Sequence, residues 1–216
     1  MDLTRDDILS LIDELIIMLR ERKITGQITI YGGSAVAYYH ENRGVTRDID
    51  SIFSPYKEIL EIAREIASRH KDLRSDWLNA GISTVMPRVP DENPAVYYQD
   101  ENITVQFGSE EYLLAMKAVT SRRTEQDRYD AALLFNSLAL NSYLGIIDLV
   151  SRYYGPGNWG SQELFWEDIE ELAQEMKAVK QTRMELLPQR KDTEILSHFS
   201  TIEYDKDYDY KKMRLE

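Results

Sequence analysis

Hydrophobic residues change their spacing midway along this 216-residue chain, and that change restricts the folds open to it. Up to Phe107, short alternating or β-branched runs are interleaved with helical periodicity. After Gly108 only the helical period remains. Ile8, Leu11, Ile12, Leu15, Ile16 and Leu19 predict a helix over 6–22, opened by Thr4 and Asp7 as a capping box in which Asp replaces the usual Glu. Strands are predicted at 27–31, 48–53, 82–86, 95–98 and 103–107. Between them, Gly32-Gly33-Ser34 turns into a short helix at 35–41, and Pro55 opens a helix to 70. Helices at 110–121, 125–138, 142–154 and 163–180 complete the chain, with Gly155-Pro156-Gly157-Asn158 as its clearest loop. The fold class is α+β: a small mixed sheet with flanking helices, then an all-helical C-terminal half. The domains expected are 1–121 (α+β), 122–200 (helical) and a charged, aliphatic-poor tail at 201–216 read as flexible.

Composition removes several functions. No cysteine is present, which excludes disulfides, thiolate metal sites and a cysteine nucleophile. Lys and Arg number 26 against 38 Asp and Glu, a net charge of −12, which argues against non-specific clamping of nucleic acid or anionic lipid. The apolar run from Ile8 to Leu19 is broken by Ser10, Asp13 and Glu14, so it reads neither as a signal peptide nor as a membrane span. A soluble, cytoplasmic protein with no membrane partner is expected. No Gly-x-x-x-x-Gly-Lys-Ser/Thr phosphate loop occurs. His40, His70 and His198 are isolated, without metal-ligand spacing. Asp205, Asp207 and Asp209 imitate a calcium loop, but Tyr210 stands where the loop needs glycine. Three tyrosine pairs (38–39, 97–98 and 153–154) read mainly as core and only secondarily as base-stacking surfaces.

Chemistry concentrates in Tyr31-Gly32-Gly33-Ser34 and in Arg43-Gly44-Val45-Thr46-Arg47-Asp48-Ile49-Asp50. Gly32 and Gly33 after a strand let backbone approach a ligand without a Cβ in the way. Ser34 then stands at a helix N-terminus, where free N–H groups favour phosphate. Asp48 and Asp50, two apart on a strand, project from one face roughly 7 Å apart at Cα. That suits divalent cations about 3.5–4 Å apart. Oxygen ligands favour Mg²⁺ or Mn²⁺ over zinc. Either fragment alone would read as structural; their combination does not.

The pair Gly32-Gly33-Ser34 and Asp48-Ile49-Asp50 resembles the signature of the nucleotidyltransferase superfamily. The run Arg43, Thr46, Asp48, Ile49, Asp50 is similar to the AbiEii-like toxin branch, the enzymatic half of some bacterial toxin–antitoxin and abortive-infection systems. Trp77-Leu78-Asn79, Leu113 to Lys117, and Arg122-Arg123 with Asp127-Arg128-Tyr129-Asp130 resemble segments of an uncharacterised relative family. The likeness covers residues 28–150 and weakens toward 180.

This resemblance implies a nucleotidyltransferase-type sheet. It also implies a Mg²⁺-dependent (or Mn²⁺-dependent) enzyme moving a nucleoside monophosphate from an NTP to a hydroxyl, with release of pyrophosphate. The acceptor would be an RNA 3′ end, tRNA included, or a protein side chain, and a cognate antitoxin would be a partner. By the same resemblance Ser34 would contact the β- and γ-phosphates, and Asp48 and Asp50 would hold metal. Lys117 would neutralise phosphate charge, and Asp130 or Asp127 would orient or deprotonate the acceptor. Other readings stand beside these. Lys117 is equally a surface lysine on an amphipathic helix. Asp127 and Asp130 beside Arg123 and Arg128 are equally a solvated ladder of ion pairs. Arg43 and Arg47 either hold phosphate or balance the aspartates, and Arg43 sits one residue further from Thr46 than the commonest family spacing. The superfamily's third carboxylate, its general base, falls on the 103–107 strand, where this chain has Gln106. Glutamine cannot take a proton, so Asp127 or Asp130 substitutes, or catalysis is weak or lost. The alternative function is therefore a catalytically degenerate nucleotidyltransferase fold that binds nucleotide or protein.

Overall fold

The computed structural model describes residues 1–157 and 159–186. The expected tail at 201–216, the end of the helical half and His198 lie outside the described residues. The architecture is α+β, with seven α-helices and a five-stranded mixed sheet among the described residues.

Helix α1 (Arg5–Glu21) opens with the capping box legible in the sequence: Thr4 Oγ1 accepts from the Asp7 N–H, and Asp7 accepts from the Thr4 N–H. Its apolar stripe is buried from Ile8 to Leu19. The strands are β1 (Gly26–Ile30), β2 (Ile49–Ser54), β3 (Leu78–Asn79), β4 (Ala95–Gln99) and β5 (Ile103–Phe107), in the order β3-β2-β1-β5-β4. β1 runs antiparallel to β2 and parallel to β5, while β2 and β3 pair in parallel. Side chains alternate across a sheet, so one face carries the buried Ile28, Ile30, Ile49, Phe53, Val105 and Phe107. Helix α1 and helix α3 (Tyr56–Arg69) pack on each other and reach β5 and β2, covering that face with Leu15, Ile59, Ile62 and Ile66. Register places Thr29, Asp50, Ile52 and Gln106 on the opposite face.

The third expected strand, 82–86, differs. Residues 81–84 form a single 3₁₀ turn, because the Asn79 side chain accepts from the Gly81 N–H at 2.9 Å and closes the chain on itself. The strand lies just before it, as two-residue β3. Helix α2 (Gly32–Tyr39) begins at the glycines themselves rather than after them, with Tyr31 as its extended N-cap.

Helices α4 (Glu110–Ala118), α5 (Glu125–Ser137), α6 (Leu144–Tyr154) and α7 (Glu163–Leu186) follow. α4 leaves β5 through Gly108 and Ser109 and packs on α2, α5 and α6. Trp166, fully buried, donates from Nε1 to the Ala118 carbonyl at 2.9 Å. The chain divides at Gln174, with Met1–Gln174 as one compact unit. The boundary expected at 121 therefore falls inside that unit, where α4 and α5 are part of one packed body with the sheet. The described residues 175–186 belong to a second unit. No helix among the described residues is long and apolar enough to cross a membrane.

Candidate active site

At the end of β1 the backbone turns at Gly32, whose φ of +61° is one that side-chain-bearing residues avoid. The Tyr31 N–H donates to the Asp50 carbonyl at 2.8 Å, which holds this turn against β2. A Cβ at Gly32 would lie 2.5 Å from Asp50 Oδ2, and one at Gly33 would run into the Arg43 guanidinium. Both glycines are thus demanded by neighbours: one by a carboxylate, the other by a cation. The first N–H groups of α2 have no carbonyl partner within the helix and remain free to meet an anion. Ser34 is fully buried, and its hydroxyl donates to the Tyr31 carbonyl at 3.3 Å. Its side chain is thereby engaged within its own turn, and only its backbone N–H is placed as the sequence reading needs.

Two cavities meet here. One, of about 400 Å³, has Ile82, Val85, Met116 and Tyr154 among its walls. The other, of about 440 Å³, is lined by Arg43, Arg47, Asp48 and Thr124 among others. Gly33, Asp50, Lys117, Arg122 and Asp127 line both. Of the expected site residues, Gly32, Gly33, Arg43, Arg47, Asp48, Asp50 and Lys117 face this space; Ser34 and Asp130 do not.

Asp48 and Asp50 repel each other. Burial, and then the Asp50 charge, raise the pKa of Asp48 above the usual carboxylate value, against partial relief from Arg74. Asn79, adjacent on β3, donates to Asp48 Oδ2 at 3.3 Å. A site where two carboxylates crowd each other, beside a glycine that leaves Asp50 Oδ2 uncovered, suits a hard divalent cation. Among the described residues no group of three or more His, Cys, Asp or Glu is arranged so that it could hold a metal ion. The pair Asp48 and Asp50 is a donor set that could hold Mg²⁺, a cation commonly bound through one or two carboxylates. Gln106 stands on the same sheet face, where it donates to Thr29 Oγ1 at 3.0 Å.

Behind the cavities lies a buried ionic cluster. Arg43 grips Asp130 with two parallel bonds, Nε to Oδ1 and Nη2 to Oδ2, both 2.9 Å. Lys117 Nζ lies 2.8 Å from Asp127 Oδ1 and 2.9 Å from Asp130 Oδ2. Gln126 donates to Asp130 Oδ1 at 2.8 Å, and Thr124 Oγ1 to Asp127 Oδ2 at 2.7 Å. Burial alone would raise both carboxylates, but the cations outweigh it: Lys117 holds Asp127, and Arg43 with Lys117 holds Asp130, below the usual pKa. Two readings of the sequence are corrected. Lys117 and its aspartates form neither a surface lysine nor a solvated ladder, because α4 and α5 fold into a hairpin that turns these side chains inward. Arg43 answers Asp130 rather than the Asp48–Asp50 pair. Arg47 stays exposed beside Asp48, and Arg122 reaches only 3.8 Å from Asp127.

Sequence reasoning missed Asn79 as a neighbour of Asp48 and the 3₁₀ turn at 81–84 as a cavity wall. The first has no local signal, since Asn79 meets Asp48 only through the β2–β3 pairing; the second has one, the Asn79–Gly81 bond, which an Asn two residues before a Gly allows. Compared with known proteins, the chain matches no family model, no curated protein and no solved structure.

Proposed function

We propose that this chain is a Mg²⁺-dependent nucleotidyltransferase of the AbiEii-like branch, moving a nucleoside monophosphate from an NTP to a hydroxyl on RNA or protein, and that it works in the cytoplasm as the toxin of a two-component system. The reading rests on one juxtaposition: the crowded pair Asp48 and Asp50, the bare Gly32-Gly33 turn and Lys117 all border the same joined cavities. The polar cavity has the charges for a triphosphate. The other, with its aliphatic walls and Tyr154, has room for a nucleoside. Asp48 and Asp50 would hold the divalent cation, which when bound polarises phosphate and steadies the departing pyrophosphate. The N–H groups opening α2 would bind phosphate oxygens, and Lys117 would offset their charge as a fixed point cation. Arg122 and Arg47, exposed at the rim, would meet the incoming substrate.

Gln106 favours a second reading, in which the same fold binds nucleotide or protein without turnover. It occupies the sheet face of Asp50, and an amide there accepts no proton. Transfer of label from each α-labelled NTP into total RNA and total protein, with Mg²⁺ or Mn²⁺, separates the two. The enzymatic reading expects label that disappears in the Asp48→Ala/Asp50→Ala variant. Metal-dependent NTP binding without transfer to any acceptor would leave the binding module standing instead.

A further inference from the structure

We propose that Asp130 is a positioning residue, which fixes Arg43 and Lys117 beside Gly33 so that both cations meet one and the same polyphosphate. The inference rests on the nucleotide reading above and specifies what arranges its cationic groups. A carboxylate offers about four acceptor positions, and those of Asp130 are taken by Arg43 Nε, Arg43 Nη2, Lys117 Nζ and Gln126 Nε2. Asp130 is 0% exposed and lines neither cavity. It has no lone pair to spare for an acceptor hydroxyl and no access to one, so it acts through its partners.

Those partners keep donors in reserve. An ammonium has three donors; Lys117 spends one on Asp127 and one on Asp130, and its side chain is among the lining of both cavities. A guanidinium has five; Arg43 uses two on Asp130 and one on the Val45 carbonyl, at 2.8 Å. Nη2 and Nη1, each with one N–H left over, are the nitrogens nearest Gly33, and Arg43 lines the cavity that also holds Asp48 and Asp50. Bound to one buried carboxylate, the two side chains lose the rotamer freedom that free lysine and arginine would surrender on binding an anion. Glycine at 33 is what leaves the guanidinium its place.

The sign of the effect discriminates. If Asp130 merely added negative charge near an anion site, replacing it by Asn would tighten anion binding. Positioning predicts the opposite. Calorimetric titration with Mg²⁺ and each NTP, and with Mg²⁺ and inorganic tripolyphosphate, is run on the full chain, with circular dichroism confirming the fold of each variant. Asp130→Asn is expected to weaken tripolyphosphate binding by about ten- to a hundredfold, the loss of one charge-assisted bond. Asp130→Glu keeps the charge but moves the carboxylate by one methylene, and it decides the matter if the Asn variant does not fold. It is expected to weaken binding as well. Unchanged or tighter binding in Asp130→Asn, or wild-type affinity in Asp130→Glu, overturns the proposal while leaving the nucleotide reading intact. A wild-type chain that binds neither NTP nor tripolyphosphate removes the nucleotide reading and this inference together.

Discussion

Asp48 and Asp130 are carboxylates of one chain whose surroundings push their pKa values in opposite directions, and their pH dependences differ accordingly. Asp48 is raised by burial and by Asp50. The folded state therefore holds its proton better than the unfolded chain does, a stabilisation present at acid pH and lost as pH rises through the raised value. Without divalent cation, Asp48→Asn is thus expected to increase stability at pH 7, by no more than about 1 kcal/mol after solvent screening. Mg²⁺ should reverse the order, stabilising the wild type and not the variant; thermal unfolding in chelator and in Mg²⁺ reads both. Asp130 is lowered, despite its burial, by Arg43 and Lys117. Its stabilisation is present above the ordinary carboxylate pKa and is lost only as pH falls through the depressed value. Arg43→Met leaves that buried charge with its bidentate partner gone, at a cost of about 3–5 kcal/mol at pH 7. Urea titrations should show this deficit shrinking as pH falls below about 4. A deficit constant with pH would mean that Arg43 contributes packing rather than charge.

At the scale of elements, what was legible is what is local. Thr4 and Asp7 announce α1, and the helical period places α3 to α6 to within a turn, because it repeats along the chain itself; α7 starts where expected but runs to Leu186, beyond the expected end at 180. The Gly32-Gly33 turn and the Asp48–Asp50 strand were legible for the same reason. What failed was partnership. The alternating Ile82–Met86 run reads as a strand, yet the chain curls at Asn79 and no strand among the described residues pairs with it. Lys117 and Asp127 meet only because α4 and α5 fold back on each other, and reading α5 as one exposed helix hides their contact. Asp127 illustrates the gap. Seen as a chemical group in the sequence, it is also the N3 residue of a second capping box, Thr124 Oγ1 accepting from its N–H at 3.1 Å. Both boxes make a prediction. Thr4→Ala and Thr124→Ala should each cost about 1 kcal/mol in stability. Thr124→Ala alone should weaken NTP binding, since it frees the carboxylate that holds Lys117. Equal affinities in the two variants, measured by titration at one temperature, would uncouple the cap from the site.

For the whole molecule, the decisive fact is where its first unit ends. Sequence composition suggests a break after the strands, near 121, but the chemistry proposed here straddles that point: Asp48, Asp50 and Arg43 precede it, and Asp127 and Asp130 follow. A chain cut there would leave Arg43 and Lys117 without their carboxylates and Asp130 without its cations. The unit instead runs to Gln174, and its last buried positions are Trp166, Ile169 and Ala173 on α7. Asn136 Nδ2 donates to the Ala173 carbonyl at 2.9 Å, binding that turn of α7 to α5. Beyond it, residues 177–182 are exposed. A chain of residues 1–174 should therefore keep its cooperative unfolding, with a Tm within about 2–4 °C of the full chain, the shift that a loss near 1 kcal/mol produces at this size. It should also keep its affinity for Mg²⁺ and NTP. Ending the chain at 165 instead removes Trp166, whose indole is buried and hydrogen-bonded to α4, and should cost several times as much. If 1–174 folds but no longer binds NTP, residues beyond Gln174 contribute to the site, and the joined cavities of the first unit are not the whole of it.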